Sequence, residues 1–150
     1  LDHLIQILRD ISEIDEKALL FEVLNQNKIK ELIIKLNTQD QLFKRGIDSN
    51  GESLGEYTEN TQKIKASKGQ PFDRVTLKDT GEFYESWEVI ISDISDIIIN
   101  ADDEKDDTAL FEKYGEDVLG LTDESLELLV QAIEPDLVGL LQEKIFSFLR

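Results

Sequence analysis

Apolar residues recur every three or four positions along the first quarter of the chain. Leu4, Ile7, Leu8, Ile11 and Ile14 keep the period of a helix with one apolar face. Leu19, Leu20, Val23 and Leu24 form a second stripe after Asp15, and Asn25-Gln26-Asn27 interrupts it. Ile29, Leu32, Ile33 and Leu36 resume the period, and Leu42 and Phe43 extend it. Gly46 stands where a helix ends in a left-handed residue. The pattern predicts two or three helices over 2–45. The first is short and narrowly amphipathic, so it needs a partner surface to stay folded.

Residues 46–73 lose that period. Gly46, Asp48, Ser49, Asn50, Gly51, Gly55, Gly69 and Pro71 punctuate them, and only Ile47, Leu54, Tyr57, Ile64 and Phe72 are large and apolar. The expectation is a long, lightly structured loop with one helical turn near Thr58–Lys65; loops of that length usually serve binding. Arg74-Val75-Thr76-Leu77 then reads as extended. Lys78-Asp79-Thr80-Gly81 reads as a turn in which Asp79 accepts backbone N–H groups and Gly81 takes positive φ. Phe83, Tyr84 and Trp87 crowd into the next few positions as a helical turn or strand start, with Ser86 between them.

Two β-branched runs follow, Trp87–Ser92 and Asp96–Ala101, parted by a polar break at Asp93–Asp96, and they predict an antiparallel hairpin. The acidic run Asp102–Asp107 reads as a solvated loop. Thr108 is placed to cap a short helix that runs to Tyr114 and stops at Gly115. From Thr122 a long helix is expected, with Asp123 and Glu124 favourable at its N-terminus. Leu126, Leu129, Val130, Ile133, Leu137, Leu140, Leu141 and Ile145 make its stripe, and Pro135 should kink or split it. The order is that of an α+β domain: N-terminal helices, a long central loop, a small antiparallel sheet with a hairpin, and a long C-terminal helix. One domain is expected, with a helical segment over 1–45 and an α+β core over 46–150.

The chain has 150 residues, 40% of them hydrophobic and 33% charged, which suits one folded domain with a real core. It has no cysteine, which excludes disulfides, thiolate metal sites and cysteine nucleophiles and fits a cytosolic setting. No apolar run reaches the ~18 residues of a membrane span, no signal peptide is expected at the start, and an initiator residue is expected to be missing or removed. The formal net charge is −17, divided as −4 over 1–25, +2 over 26–80 and −15 over 81–150. Such a surface repels nucleic acid at long range and suits a basic partner or a wall to which DNA must not stick, although solubility alone also accounts for it. Within 61–80 the balance reverses: Lys63, Lys65, Lys68, Arg74 and Lys78 face only Asp73 and Asp79.

Little here points to catalysis. His3 is the only histidine and lies near a terminus, so it cannot build a zinc site. Asp48-Ser49-Asn50-Gly51 superficially suggests a calcium loop, but the sixth position is Ser53 and not glycine; the same four residues suit a β-turn. Neither glycine-rich phosphate motif occurs, and Ser86 has no base close in sequence. No catalytic residue, cofactor or metal is expected, and the chain reads as an interaction protein.

The motif Leu77-x-Asp79-Thr80-Gly81-x-Phe83-x-x-Ser86-Trp87 resembles the "L-x-x-T-G-x-L-x-x-S-I" signature of phage virion morphogenesis proteins, the tail-completion or neck proteins of long-tailed phages and prophages. Two further pieces agree in order. Phe43, Asp48, Gly51, Leu54, Tyr57, Thr61, Lys65 and Gly69 resemble that family's preceding segment. Val118-Leu119-Gly120-Leu121-Thr122 with Glu124 resembles the element that opens its last helix. The similarity covers roughly residues 40–146 and leaves 1–37 outside.

The resemblance implies a structural virion protein, assembled in the host cytoplasm. It would form a homo-oligomeric ring around the DNA exit channel, contacting neck, connector or tail proteins and passing DNA without specific binding or any membrane. The cations of 63–78 would dock on an acidic neighbour, while the turn residues Leu77, Asp79, Thr80, Gly81, Phe83, Tyr84, Ser86 and Trp87 would set the shape of the contact. The alternative is a soluble acidic adaptor or nucleic-acid mimic, which should expose carboxylates at phosphate-like spacing.

Overall fold

A computed structural model of the chain describes residues 1–105 and 108–150. Helices α1 (Asp2–Ser12), α2 (Glu16–Leu24) and α3 (Asn27–Lys35) follow the three predicted stripes. The Asp15 carboxylate starts α2 by accepting the Ala18 N–H at 3.0 Å. Helix α3 passes straight into a π-helix, Leu36–Arg45, which ends at Gly46 with φ 61°. Glycine is required there twice over: the backbone is left-handed, and a Cβ would sit 2.8 Å from the Val75 carbonyl oxygen.

The π-helix carries two buried amides, Asn37 and Gln41, on one side. Asn37 donates to the Val118 carbonyl at 3.0 Å and accepts the Gly120 N–H at 2.7 Å. Gln41 donates to the Gly120 carbonyl and accepts the Thr122 N–H, both at 2.9 Å. This double clamp satisfies four main-chain groups of the 118–122 loop. It also places Thr122, whose hydroxyl accepts the Ser125 N–H at 3.2 Å and starts the last helix.

After the Asp48 turn, where one carboxylate oxygen accepts the Asn50 and Glu52 N–H groups at 2.9 Å each, the expected loop contains more structure than its composition predicts. Helix α4 spans Glu59–Ser67 as a full nine-residue helix, capped by Thr58. Helix α5 (Glu82–Glu85) is the helical turn that holds the aromatics. Strands β1 (Glu88–Asp93) and β2 (Asp96–Asn100) pair antiparallel with Val89 opposite Ile99 and Ile91 opposite Ile97, and a bulge follows Ile91. Val89 and Ile91 point into the core while Ile90 and its partner Ile98 point out, as the alternation predicts.

Part of the expected acidic loop is paired: β3 (Glu104–Lys105) runs antiparallel to β4 (Thr108–Ala109), and Asp106 and Asp107 lie outside the described residues. Because β4 takes the backbone of residue 108, Ala109 rather than Thr108 precedes α6 (Leu110–Tyr114), which Gly115 closes as predicted. Helix α7 runs from Asp123 to Phe148 without a split. Pro135 removes one hydrogen bond, but it and Gln131, whose carbonyl loses its donor, both lie on the exposed side where water can substitute. The buried face of α7 is narrower than expected: Leu129, Ile133, Leu137 and Leu140 pack inward, whereas Leu126, Val130 and Leu141 are exposed.

The fold is α+β and mostly helical, with seven α-helices and two small two-stranded sheets among the described residues. Two clusters fill it. Val23, Leu24, Ile29, Ile33 and Leu36 pack with Val89, Ile91 and Leu129. The segment 1–45 therefore shares a core with the hairpin and α7, and residue 45 marks no break in packing. The second cluster joins Leu42 and Val118 to Val75, Leu77, Phe83, Tyr84 and Trp87.

A braced turn and a cation-edged groove

The turn expected at 78–81 forms, but its constraint begins one residue earlier. Leu77 is buried with φ 55°, the only non-glycine residue with positive φ among those described. A bulky residue in that region is strained by about 1–3 kcal/mol and persists only where its surroundings dictate it. Here they do. The Tyr57 hydroxyl accepts the Thr76 N–H at 3.0 Å, and the Lys78 N–H donates to the Thr76 hydroxyl at 3.3 Å. The Tyr84 hydroxyl donates to the Thr76 carbonyl. Burial raises the Tyr84 phenol well above the usual phenol range, with Tyr57 adding and Arg74 opposing, so it remains a donor. Past Leu77, Lys65 Nζ donates to the Lys78 carbonyl at 2.8 Å and Gln70 donates to the Asp79 carbonyl at 3.1 Å.

Lys65 corrects the sequence reading most sharply. Expected as a docking cation on a lightly structured loop, it is only 7% exposed on α4. Its ammonium also reaches Gln70 Oε1 at 3.3 Å and lies 4.9 Å from the Tyr57 ring centroid. A cation so enclosed acts on its own chain. Arg74 is similarly engaged, donating to the Phe43 carbonyl at 3.0 Å and pairing with Asp73 at 2.5 Å. Lys78 lies over the Phe43 ring at 4.9 Å and near Tyr84 at 5.7 Å. Lys63 and Lys68 are the exposed cations of the set, and Lys68 is 3.6 Å from the Asp79 carboxylate. Asp79 thus meets a lysine rather than the backbone N–H groups expected of it; Thr80 takes that part, its hydroxyl accepting the Glu82 N–H at 3.4 Å.

Gly81 has φ 101°, as expected. Phe83 sits at the centre of the aromatic group, with ring centroids 6.2 Å from Tyr84, 5.7 Å from Trp87 and 6.2 Å from Phe111. Ser86 is a structural hydroxyl: it donates to the Phe83 carbonyl at 2.7 Å and accepts the Asp102 N–H at 2.9 Å, tying the aromatic turn to the end of the hairpin. The Trp87 indole N–H is buried with no hydrogen-bond partner among the described residues.

The braced turn forms one wall of a groove of about 280 Å³. Tyr57, Ile64, Leu77, Leu110 and Tyr114 supply its apolar surface, with Lys68, Lys78 and Asp79 along it. An apolar floor edged by two lysines, on a chain of net charge −17, is suited to an acidic segment that brings an apolar side chain. Sequence reasoning missed Leu110 and Tyr114 as parts of this surface, Gln70 as a brace of its turn, and Asn37 and Gln41 as the clamp on the 118–122 loop. Only the amide pair carried a signal, two polar residues four apart on a helix about to be buried.

Family models, curated proteins and solved structures were each compared with the chain, and none matches it.

Proposed function

We propose that the chain is a structural, non-enzymatic virion protein of the phage head-to-tail junction or tail end. It is assembled in the host cytoplasm and acts by docking onto itself and onto neighbouring neck, connector or tail proteins around the DNA exit. The observation that carries this reading is the use made of the signature-like stretch. Thr76, Tyr84 and Lys65 commit their polar groups to main-chain partners around the strained Leu77, and Ser86 ties the aromatic turn to the end of the hairpin, which is how a fixed contact surface is built. The resemblance of three sequence pieces in order supplies the virion context, and the strongly acidic second half suits a wall along which DNA passes without sticking.

Docking rests on Lys63 and Lys68, the exposed cations of α4 and its C-terminal cap, of which Lys68 lines the groove and Lys63 lies on the helix beside it, and not on Lys65. The test is a double Lys63→Glu, Lys68→Glu variant supplied to a phage that lacks the gene. The variant should melt like the parent and leave heads and tails unjoined. Normal joining by a folded variant refutes docking through this surface. The acidic second half also favours a mimic of nucleic acid. Intact particles without the protein, together with competition between the protein and DNA for a DNA-binding protein, would establish that reading instead.

A further inference from the structure

We infer that the groove receives the outer face of the 88–100 hairpin of a second copy of this chain, so that copies join head to tail. The inference rests on the docking role proposed for the groove and names its occupant. Each copy carries both halves of the contact. Ile90 and Ile98 stand opposite each other on β1 and β2 and are 43 and 41% exposed. Val89 and Ile91, on either side of Ile90, are buried in the first cluster, which holds the hairpin and turns the Ile90–Ile98 pair outward. By the same alternation Glu88 shares the face of Ile90, and Asp96 shares that of Ile98; both carboxylates are exposed. The hairpin thus presents two isoleucines with a carboxylate beside each. The groove presents Ile64, Leu77 and Leu110 with Lys68 and Lys78 along them. A cavity of about 150 Å³ accepts a benzene ring. The groove, at about 280 Å³, has room for both isoleucine side chains.

Charge selects the occupant. Over residues 61–80 five cations stand against Asp73 and Asp79 alone, a formal charge of +3. Residues 82–104 hold eight carboxylates and no cation. The segment that builds most of the groove and the segment that carries the hairpin are therefore of opposite sign within one chain. A symmetric contact would set lysines against lysines or carboxylates against carboxylates, whereas hairpin into groove pairs unlike charges. A nucleic acid is held by a run of phosphate contacts, and this groove offers it two lysines, one of them beside Asp79. Two chains of net charge −17 still repel at long range. At ~0.15 M salt the screening length is about 8 Å, so the local attraction is best measured there.

Mass measurement by light scattering at that salt should show the parent rising above the 17.2 kDa of one chain as concentration increases. Ile64→Glu spoils the groove, and a double Ile90→Gln, Ile98→Gln variant spoils the hairpin. All three changes fall on exposed side chains, so helical circular dichroism should be unchanged. Each variant alone should stay at the mass of one chain. An equimolar mixture should reach the mass of two chains and no more, because only one intact hairpin and one intact groove remain to meet.

The absence of native cysteine allows a second readout that does not depend on these variants. Ile64→Cys mixed with Ile98→Cys should give disulfide-linked pairs under mild oxidation, far more than Ile64→Cys alone. A parent that keeps the mass of one chain at every concentration overturns the inference. So does a mixture of the two spoiled variants that fails to pair, or a parent oligomer that neither variant disrupts. Failure here leaves the docking reading to its own test, because particle joining by the Lys63→Glu, Lys68→Glu variant is measured separately and would then point to a different protein in the groove.

Discussion

Replacing Lys65 by methionine removes the ammonium from the brace while keeping most of its stem. The ammonium bonds the Lys78 carbonyl at 2.8 Å and Gln70 Oε1 at 3.3 Å, and both acceptors remain when it goes. Gln70 can turn, since its amide also faces the Asp79 carbonyl, but the Lys78 carbonyl is fixed in the turn. A hydrogen bond from a charged donor contributes about 1.5–3 kcal/mol, so Lys65→Met should destabilise by ~2–3 kcal/mol. In a chain of 150 residues this corresponds to a Tm lowered by about 5–10 °C.

Lys63→Met on the same helix is the control. Its side chain is exposed, and such changes stay within about 0.5 kcal/mol. The bonded partners of Lys65 are neutral oxygens, so the difference between the two variants should vary little with salt, unlike anything due to the exposed Lys68–Asp79 pair. Melting followed by circular dichroism and by Trp87 fluorescence measures both. Coincident melting curves for the two variants would show that Lys65 does not hold the turn.

Gly81→Ala meets no atom within 4 Å of the new Cβ but must keep φ near 101°, so it should lower stability by about 1 kcal/mol or more through the backbone alone and impair assembly more than any surface Glu→Gln change. An unchanged melt would mean that the turn relaxes freely. Tyr84→Phe leaves the Thr76 carbonyl without its phenol donor and should cost ~1–3 kcal/mol near neutral pH in chemical denaturation. The folded phenol titrates above its unfolded value of about 10, so Tyr84 contributes stability in full below that pH and loses it above. The parent should therefore lose stability by ~1.4 kcal/mol per pH unit relative to Tyr84→Phe above pH ~10, and parallel pH profiles would contradict the burial of the phenol.

Hydrophobic period and punctuation made the large elements legible. The α1–α3 stripes, the 88–100 hairpin, the Thr122 cap and the left-handed glycines at 46 and 81 were all readable. What was not legible depended on contacts distant in sequence. Helix α4 has few apolar residues, which predict only one turn near Thr58–Lys65; its full nine residues are held in place by Lys65 reaching the Lys78 carbonyl and Gln70 reaching that of Asp79. The same contacts turn Lys65 from a surface charge into an internal brace. Pro135 predicts a kink or split in α7, and no split occurs: it and Gln131 lie on the exposed side, where water can satisfy the freed carbonyl, and that exposure is a property of packing. The strain at Leu77 carried no local sign, since nothing in Thr76-Leu77-Lys78 asks for positive φ until Tyr57, Tyr84 and Lys65 enclose it.

We propose that this chain is a built-in part of a tailed particle, positioned where head and tail meet or where the tail ends. Electron microscopy of particles in which the protein carries a site-specific label tests it most directly. The label should lie at the junction or the tail end, and particles made without the protein should show unjoined heads and tails. Complete particles formed in its absence, with no label on any particle when it is present, would contradict the account.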